Sequence, residues 1–299
     1  MTSENETSQG IDWEAEWAAL QAEEAASEEN EHPSALERMG MARKWGYRTL
    51  ALTVGYRGAA FCGFARQPEQ LTVQGNLEEA LSVLFGHPIQ LVCAGRTDTG
   101  VHARGQVVSI DVTADDMADR TLSSIKRSLN ALTHDDITVY EVSEVPAGFS
   151  ARFDARAREY RYFIVTGDAK PLFMRDFAWY VSGELDVEAM ERASRCLIGE
   201  HDFKSFCKAV SAEGKPTCRN VSEISFRRVK YFGEQVLCIK VVGNAFLHSM
   251  VRTIVGSLVA VGRGARPEGW IAEALAAFDR RSAGECAPAH GLVLWRVVY

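Results

Sequence analysis

The pattern of apolar residues predicts an α+β fold with a largely antiparallel sheet. Runs that alternate large and small residues recur from about residue 47 to the C-terminus, as half-buried strands do. Runs with apolar residues at helical spacing fall between them, without the strict strand–helix alternation of a parallel sheet. Two strand-like runs, "VSEISFRRV" and "QVLCIKVVG", flank Phe232, Gly233 and Glu234, which reads as a hairpin.

Residues 1–45 stand apart from this pattern. "AEEAASEENEH" is rich in Glu and Ala and poor in large apolar side chains, so the segment is expected to be a disordered extension, with at most a loose helix through Trp13 to Leu20. The first folded half is placed at 46–150. "YRTLALTVGY" reads as a strand. "TVQGNLEEALSVLFG" reads as a helix with Leu77, Leu81 and Leu84 inward and Gly86 as its stop. "IQLVCA" and "GQVVSIDV" read as strands around a glycine-rich turn. "RTLSSIKRSLNAL" is a helix with Leu122, Ile125 and Leu129 inward, and "ITVYEVSEV" a further strand. This β-α-β-β-α-β order is that of a ferredoxin-like unit.

The second half is placed at 151–299. "REYRYFIVTG" is strand-like, and "DVEAMERASRCLIG" is a helix opening near Asp186 and stopping at Gly199. After the hairpin, "AFLHSMVRTIVGSLVAVG" reads as one long helix with Met250, Ile254, Leu258 and Val261 as its apolar stripe. "PEGWIAEALAAFD" reads as a helix opening at Pro267, a favoured first position. "GLVLWRVVY" closes the chain as a strand.

Composition narrows the function classes. The chain has 299 residues, 46% hydrophobic and 24% charged, ordinary values for a globular protein. No apolar run approaches the ~20 residues that span a bilayer, and the acidic N-terminus has no signal-like core, so a cytoplasmic protein is expected. The seven cysteines are scattered without a CxxC pair, which indicates neither a zinc site nor a disulfide framework. The net charge of −7 hides an asymmetry. Residues 1–40 hold eleven acids against one base, Arg38, while the remainder balances to +3. A mildly basic body permits an RNA partner.

One stretch points to chemistry. In "LVCAGRTDTGVHARGQVV", residues 91–108, a single carboxylate, Asp98, sits between Gly95 and Gly100, with Arg96 before it and His102 and Arg104 after. Loops held by a rigid sheet are where reacting groups sit, and a carboxylate serves as a nucleophile when it is ionised and aimed. The same Asp could simply cap a turn. Metal binding needs more ligands than His102 supplies nearby. A phosphoaspartyl site would carry a second acid at position 100, which is glycine. The phosphate-loop pattern is absent around "GKPT".

"CAGRTDTGVHARGQVV" closely resembles the catalytic loop of the tRNA pseudouridine synthase A family. "FSARFDARAREYRYFI" resembles its tyrosine-bearing strand, "DFKSFCKA" the loop that follows, "NAFLHSMVRTIVGSLVAVG" its arginine-bearing helix, and "GLVLW" its closing strand. The resemblance runs from about residue 47 to 299. It implies a pseudouridine synthase fold, in which two ferredoxin-like halves share a central sheet with flanking helices. It implies isomerisation of uridine to pseudouridine at positions 38, 39 and 40 of the tRNA anticodon arm, by a homodimer using no metal or organic cofactor. The family's essential aspartate falls on Asp98, its active-site tyrosine on Tyr160, its aspartate-pairing arginine on Arg252 and its pocket leucine on Leu292. Arg96, Arg104 and His102 become candidates to hold phosphate or fill the space the base vacates. Lys126, Arg127, Lys208, Lys215 and Arg219 are further candidate phosphate contacts. The chain departs from the family at Tyr56-Arg57-Gly58, where "YDG" is common, and at "GFARQ", where "GWQRQ" is common.

The reaction breaks N1–C1′, turns the uracil and rejoins it through C5. Asp98 could attack covalently or take the C2′ proton, and both routes need the ionised acid. An arginine beside it favours that form. Three other readings make different predictions: a related synthase with another RNA target, an RNA-binding protein without isomerase activity, and a metal-dependent phosphohydrolase inhibited by chelators.

Overall fold

The computed structural model describes residues 34–209 and 214–299. The segment through residue 33, with the helix expected over Trp13 to Leu20, lies outside the described residues. The end of the expected disordered extension is ordered instead: α1 spans Ala35–Trp45. Ser34 and Glu37 form a reciprocal capping box at its start. Arg38 then donates through Nε to the Gly148 carbonyl and pairs with Asp154 at 2.5 Å. The one base of the acidic segment thus anchors its end to the fold.

The first half continues with β1 (Arg48–Tyr56), α2 (Val73–Phe85), β2 (Val92–Cys93), β3 (His102–Val112), the short α3 (Ala114–Met117), α4 (Leu122–Leu132) and β4 (Ile137–Val145). Thr72 caps α2, Leu77 and Leu81 face the core, and Gly86 ends the helix at φ 80°, a conformation glycine adopts without strain. The second half contains β5 (Ala157–Gly167), β6 (Trp179–Ser182), α5 (Val187–Ser194), β7 (Gly199–Asp202), β8 (Cys218–Tyr231), β9 (Glu234–Gly243), α6 (Met250–Gly262), α7 (Trp270–Ala276) and β10 (Leu292–Val298). The hairpin turns on Phe232 at φ 49° and Gly233 at φ 87°, the left-handed pair that suits the strand twist.

Among the described residues the strands form one sheet, ordered β4-β1-β3-β10-β5-β9-β8-β7, with β2 on β3 and β6 on β5. Within each half the order is fourth, first, third, second: β4-β1-β3-β2, then β10-β5-β9-β8. The neighbours are antiparallel except β3 with β10 and β5 with β6. The β3–β10 pair is the seam between the halves.

Three expected elements are shorter than the sequence suggested. The "IQLVCA" strand shrinks to Val92–Cys93, which pair with Ser109 and Val108. The Leu91 N–H turns instead toward the Glu78 carboxylate, and β10 takes the other end of the same β3 edge. The long helix starts at Met250, not near Ala245, because Ser249 sits at φ 60° and breaks the helical path. The helix expected from Pro267 starts at Trp270, after a tight turn in which the Trp270 N–H bonds the Pro267 carbonyl.

Alternation along β5 and β10 sorts side chains onto two faces. Tyr160, Tyr162, Leu292 and Leu294 are cross-strand partners on one face, in the main core with α6. Phe163, Val293 and Trp295 lie on the other, in a smaller cluster. Eleven of the thirteen residues of α6 are buried. Arg252 is one of the two that are not.

Candidate active site

The Asp98 loop leaves the sheet at the seam, between the part of β3 held by β2 and the part held by β10. Its backbone is tied down from beneath. Arg158 donates to the Ala94 carbonyl through Nη2 at 2.7 Å and Nε at 3.1 Å. The Gln106 amide donates to the Gly95 carbonyl at 2.7 Å. The Tyr56 hydroxyl bonds the Thr97 hydroxyl at 2.8 Å, and the Phe64 N–H bonds the Thr97 carbonyl. Arg158 also donates to the carbonyls of Arg152, Ala155 and Asn244. It therefore joins the Asp98 loop to the loop that leads into α6.

Asp98 and Arg252, 154 residues apart in sequence, meet across the seam: Arg252 Nη1 donates to Asp98 Oδ2 at 2.9 Å. Arg252 Nε donates to the Ala287 carbonyl at 2.8 Å, which fixes the plane of the guanidinium. The Ser249 hydroxyl donates to the same Oδ2 at 2.9 Å. His248 Nε2 lies 3.4 Å from Oδ1. The carboxylate also faces the N-terminal turn of α6, whose dipole favours an anion. The side chains of Asp98 and Arg252 are 22% and 18% exposed, so the pair is sheltered yet open to a ligand.

Tyr160 is buried beside this pair. Its hydroxyl oxygen lies close to Gly95, and its ring meets Phe246 edge-on at 5.2 Å. Burial, reinforced by the negative charge of Asp98, pushes the phenol well above its usual range. Tyr160 therefore keeps its proton and is a hydrogen-bond donor. Leu292 shares its face and is buried opposite Tyr162. The Tyr162 hydroxyl donates to the Pro288 carbonyl at 2.8 Å and so tethers the strand that carries Leu292.

The structure brings Asp98, Arg252, Tyr160 and Leu292 to one face, and places Arg96 exposed on the loop. It does not bring His102 and Arg104 there. His102 pairs with Val293 in the sheet, so its side chain points to the opposite face. Its Nδ1 accepts the Gly58 N–H at 3.1 Å, its Nε2 bonds the Asp176 carbonyl, and its ring stacks near Phe177. Burial lowers its pKa and keeps the ring neutral. Arg104 lies over the Trp295 ring at 4.9 Å on that same face. Nearness in sequence misleads here because β3 begins at His102 itself.

The departure at Arg57 is absorbed locally. Arg57 pairs with Asp136 at 3.3 Å, while a side chain at Gly58 would collide with the Val101 carbonyl. Of the other basic candidates, Lys208 adjoins the site, since its N–H bonds the His248 carbonyl. Arg219 donates to the Pro216 and Cys218 carbonyls at the start of β8. Lys126 and Arg127 are exposed on α4, and Lys215 is exposed before β8. Among the described residues no group of three His, Cys, Asp or Glu is placed to hold a metal ion, and no helix is long and apolar enough to cross a membrane.

Sequence reasoning missed Arg158, Gln106, Tyr56, Phe246, His248 and Ser249. Arg158 carried one usable signal, as a charge on an apolar strand face two residues before Tyr160. The hydroxyl–carboxylate contact of Ser249 had none.

Comparison with known proteins places the chain in a family. Residues 52–154 and 193–299 match the family model described as tRNA pseudouridine synthase. Similar proteins include tRNA pseudouridine synthase A of Brevibacillus brevis, 44% identical over 253 residues, covering 84% of this chain and 100% of that protein. The protein of the same name from Thermotoga neapolitana is also 44% identical over 253 residues, with the same coverage. That from Cronobacter sakazakii is 44% identical over 250 residues, covering 84% of this chain and 89% of that one.

Proposed function

The chain belongs to the tRNA pseudouridine synthase family and is an isomerase acting on tRNA; from that premise we propose that it converts uridine to pseudouridine at positions 38, 39 and 40 of the anticodon arm, with Asp98 as the reacting acid. The observation that carries this reading is the carboxylate of Asp98 held by Arg252 across the seam, beside a buried tyrosine. An isomerase that rebuilds one glycosidic bond needs an aimed acid and a sheltered aromatic wall, and these residues supply both.

The atoms balance without a co-reactant. The N1–C1′ bond breaks, the C5–C1′ bond forms, C5 loses a proton and N1 gains one. Asp98 either adds covalently or takes the C2′ proton, and each route uses an unprotonated oxygen. Arg252 holds that charge in place. Tyr160 offers a ring on which the loosened uracil stacks and a hydroxyl that donates during the proton shift. Leu292 walls the pocket and keeps water from the freed base.

The target base leaves its stack to reach the loop, at a cost of a few kcal/mol. Phosphate contacts at the rim offset that cost, with Arg96 and Lys208 the best placed. The reading includes a homodimer in the cytoplasm, and sedimentation of the purified protein checks its oligomeric state.

The test is tritium release from tRNA labelled at C5 of uridine, with uridine present only at positions 38 to 40. The wild-type protein releases tritium and Asp98→Asn does not. Its affinity for the same tRNA stays within about tenfold, because phosphate contacts dominate binding. Full release by Asp98→Asn would refute the assignment. Release only when uridine stands elsewhere would leave the isomerase and remove the anticodon arm.

A further inference from the structure

Ser249 occupies the N-cap position of α6 in a way that serine seldom does. An N-cap serine normally has extended dihedrals and turns its hydroxyl onto the first free N–H groups of its helix. Ser249 instead has φ 60° and ψ 11°, and its side chain makes no capping bond. A left-handed residue with a Cβ is strained and persists where the surroundings hold it. The hydroxyl goes instead to Asp98 Oδ2 at 2.9 Å. That oxygen already accepts from Arg252 Nη1 at 2.9 Å. Both donors come from the same helix terminus, at its N-cap and third position.

We infer that Ser249 is a positioning residue for Asp98. Together with Arg252 it locks Oδ2, so that Oδ1, which among the described residues has the half-exposed His248 at 3.4 Å, is the oxygen presented to the nucleoside. This inference rests on the reading that Asp98 is the reacting acid. One donor on Oδ2 leaves the carboxylate free to turn about that bond; two donors from a rigid helix end do not. The left-handed backbone is what carries the Ser249 Cβ to the side of the helix axis where Asp98 lies.

Four variants separate this role from simple turn geometry. Ser249→Ala keeps the strained backbone and loses the hydroxyl. Ser249→Gly relaxes the backbone and also loses it. Ser249→Asn tolerates the left-handed region and restores a donor. Under single turnover with tRNA, Ser249→Ala and Ser249→Gly are expected to react about tenfold more slowly, the scale of one hydrogen bond to a charged group. Their tRNA affinity stays within about twofold, and Ser249→Asn recovers most of the rate. Ser249→Gly reacting at the wild-type rate would overturn the inference while leaving the Asp98 assignment intact.

An unfolding cycle with Asp98→Asn gives a readout that needs no turnover. The stability lost in Ser249→Ala is expected to shrink in the Asp98→Asn background, because the charged acceptor is gone. Strictly additive losses would overturn the inference even if the protein proved inactive on tRNA.

Discussion

The two faces of the central sheet are built from the same strands and do different work. On the face toward α6, β5 and β10 offer Tyr160, Tyr162, Leu292 and Leu294, all buried, and the seam delivers Asp98 to Arg252. On the opposite face the intervening residues gather aromatics and cations, where Arg161 lies 3.9 Å over the Trp295 ring and Arg104 lies 4.9 Å from it. A groove of about 380 Å³ there is lined by Arg57, His102, Arg104, Tyr140, Phe163 and Trp295 among others. The groove's lining includes two arginines, Arg57 and Arg104. Its Asp136 carboxylate has the Arg57 guanidinium at 3.3 Å, whereas Asp98 Oδ2 accepts from two donors of one helix end at 2.9 Å each. A candidate active site is better marked by several donors converging on one acid than by a groove alone.

Four substitutions break or sharpen this contrast. The largest effect is expected at Asp98: Asn at this position should cut tritium release at least about a thousandfold, since the proposed function makes this residue the reacting acid. Next is Arg252→Lys, which keeps the charge but cannot bond the Ala287 carbonyl and Asp98 together. A fall of about a hundredfold in single-turnover rate, with unchanged tRNA affinity, is expected. Wild-type kinetics in that variant would mean that the fork geometry is irrelevant.

The opposite face should respond differently. His102→Ala leaves the buried Gly58 N–H without an acceptor, so unfolding in denaturant should show a loss of about 1–3 kcal/mol. Arg104→Ala should leave both stability and rate within about threefold. A tenfold or greater rate loss in Arg104→Ala would move substrate contacts to that face and erase the contrast.

A separate, pH-dependent effect is expected from Glu78, buried in α2. Burial lifts its carboxyl to about 6, against hydrogen bonds from Gln74 and the charge of Arg66. The native state therefore binds this proton more tightly than the unfolded chain. Stability from this group is full below the unfolded value near 4.5 and is lost as pH rises through about 6, by up to about 2 kcal/mol. Glu78→Gln should flatten that segment of the stability–pH curve, measured by denaturant unfolding at pH 4.5 and 7. An unchanged slope would place the carboxyl in water.

Much of the fold was legible because it rests on local periodicity. The Leu77 and Leu81 spacing with Gly86, the Phe232-Gly233 turn and the Met250 stripe all act within a few residues. Asp98, Tyr160, Arg252 and Leu292 were named through their motifs, and the structure brings them to one face. Arg104 and His102 were grouped with Asp98 by proximity, and one turn of strand alternation sent them through the sheet. The order in residues 35–45 was hidden because Arg38 finds its partners near residue 150.

What the sequence determined by itself is therefore most of the elements, their order along the chain and the motifs that carry the candidate groups. Short-range propensities and motif spacing are properties of the chain alone. Only the tertiary structure decided which groups meet. The β3–β10 seam brings residues 154 positions apart within 2.9 Å, turns Ser249 onto Oδ2 and sends His102 to the far side. Such contacts depend on register and handedness across the whole sheet, and no local window contains them.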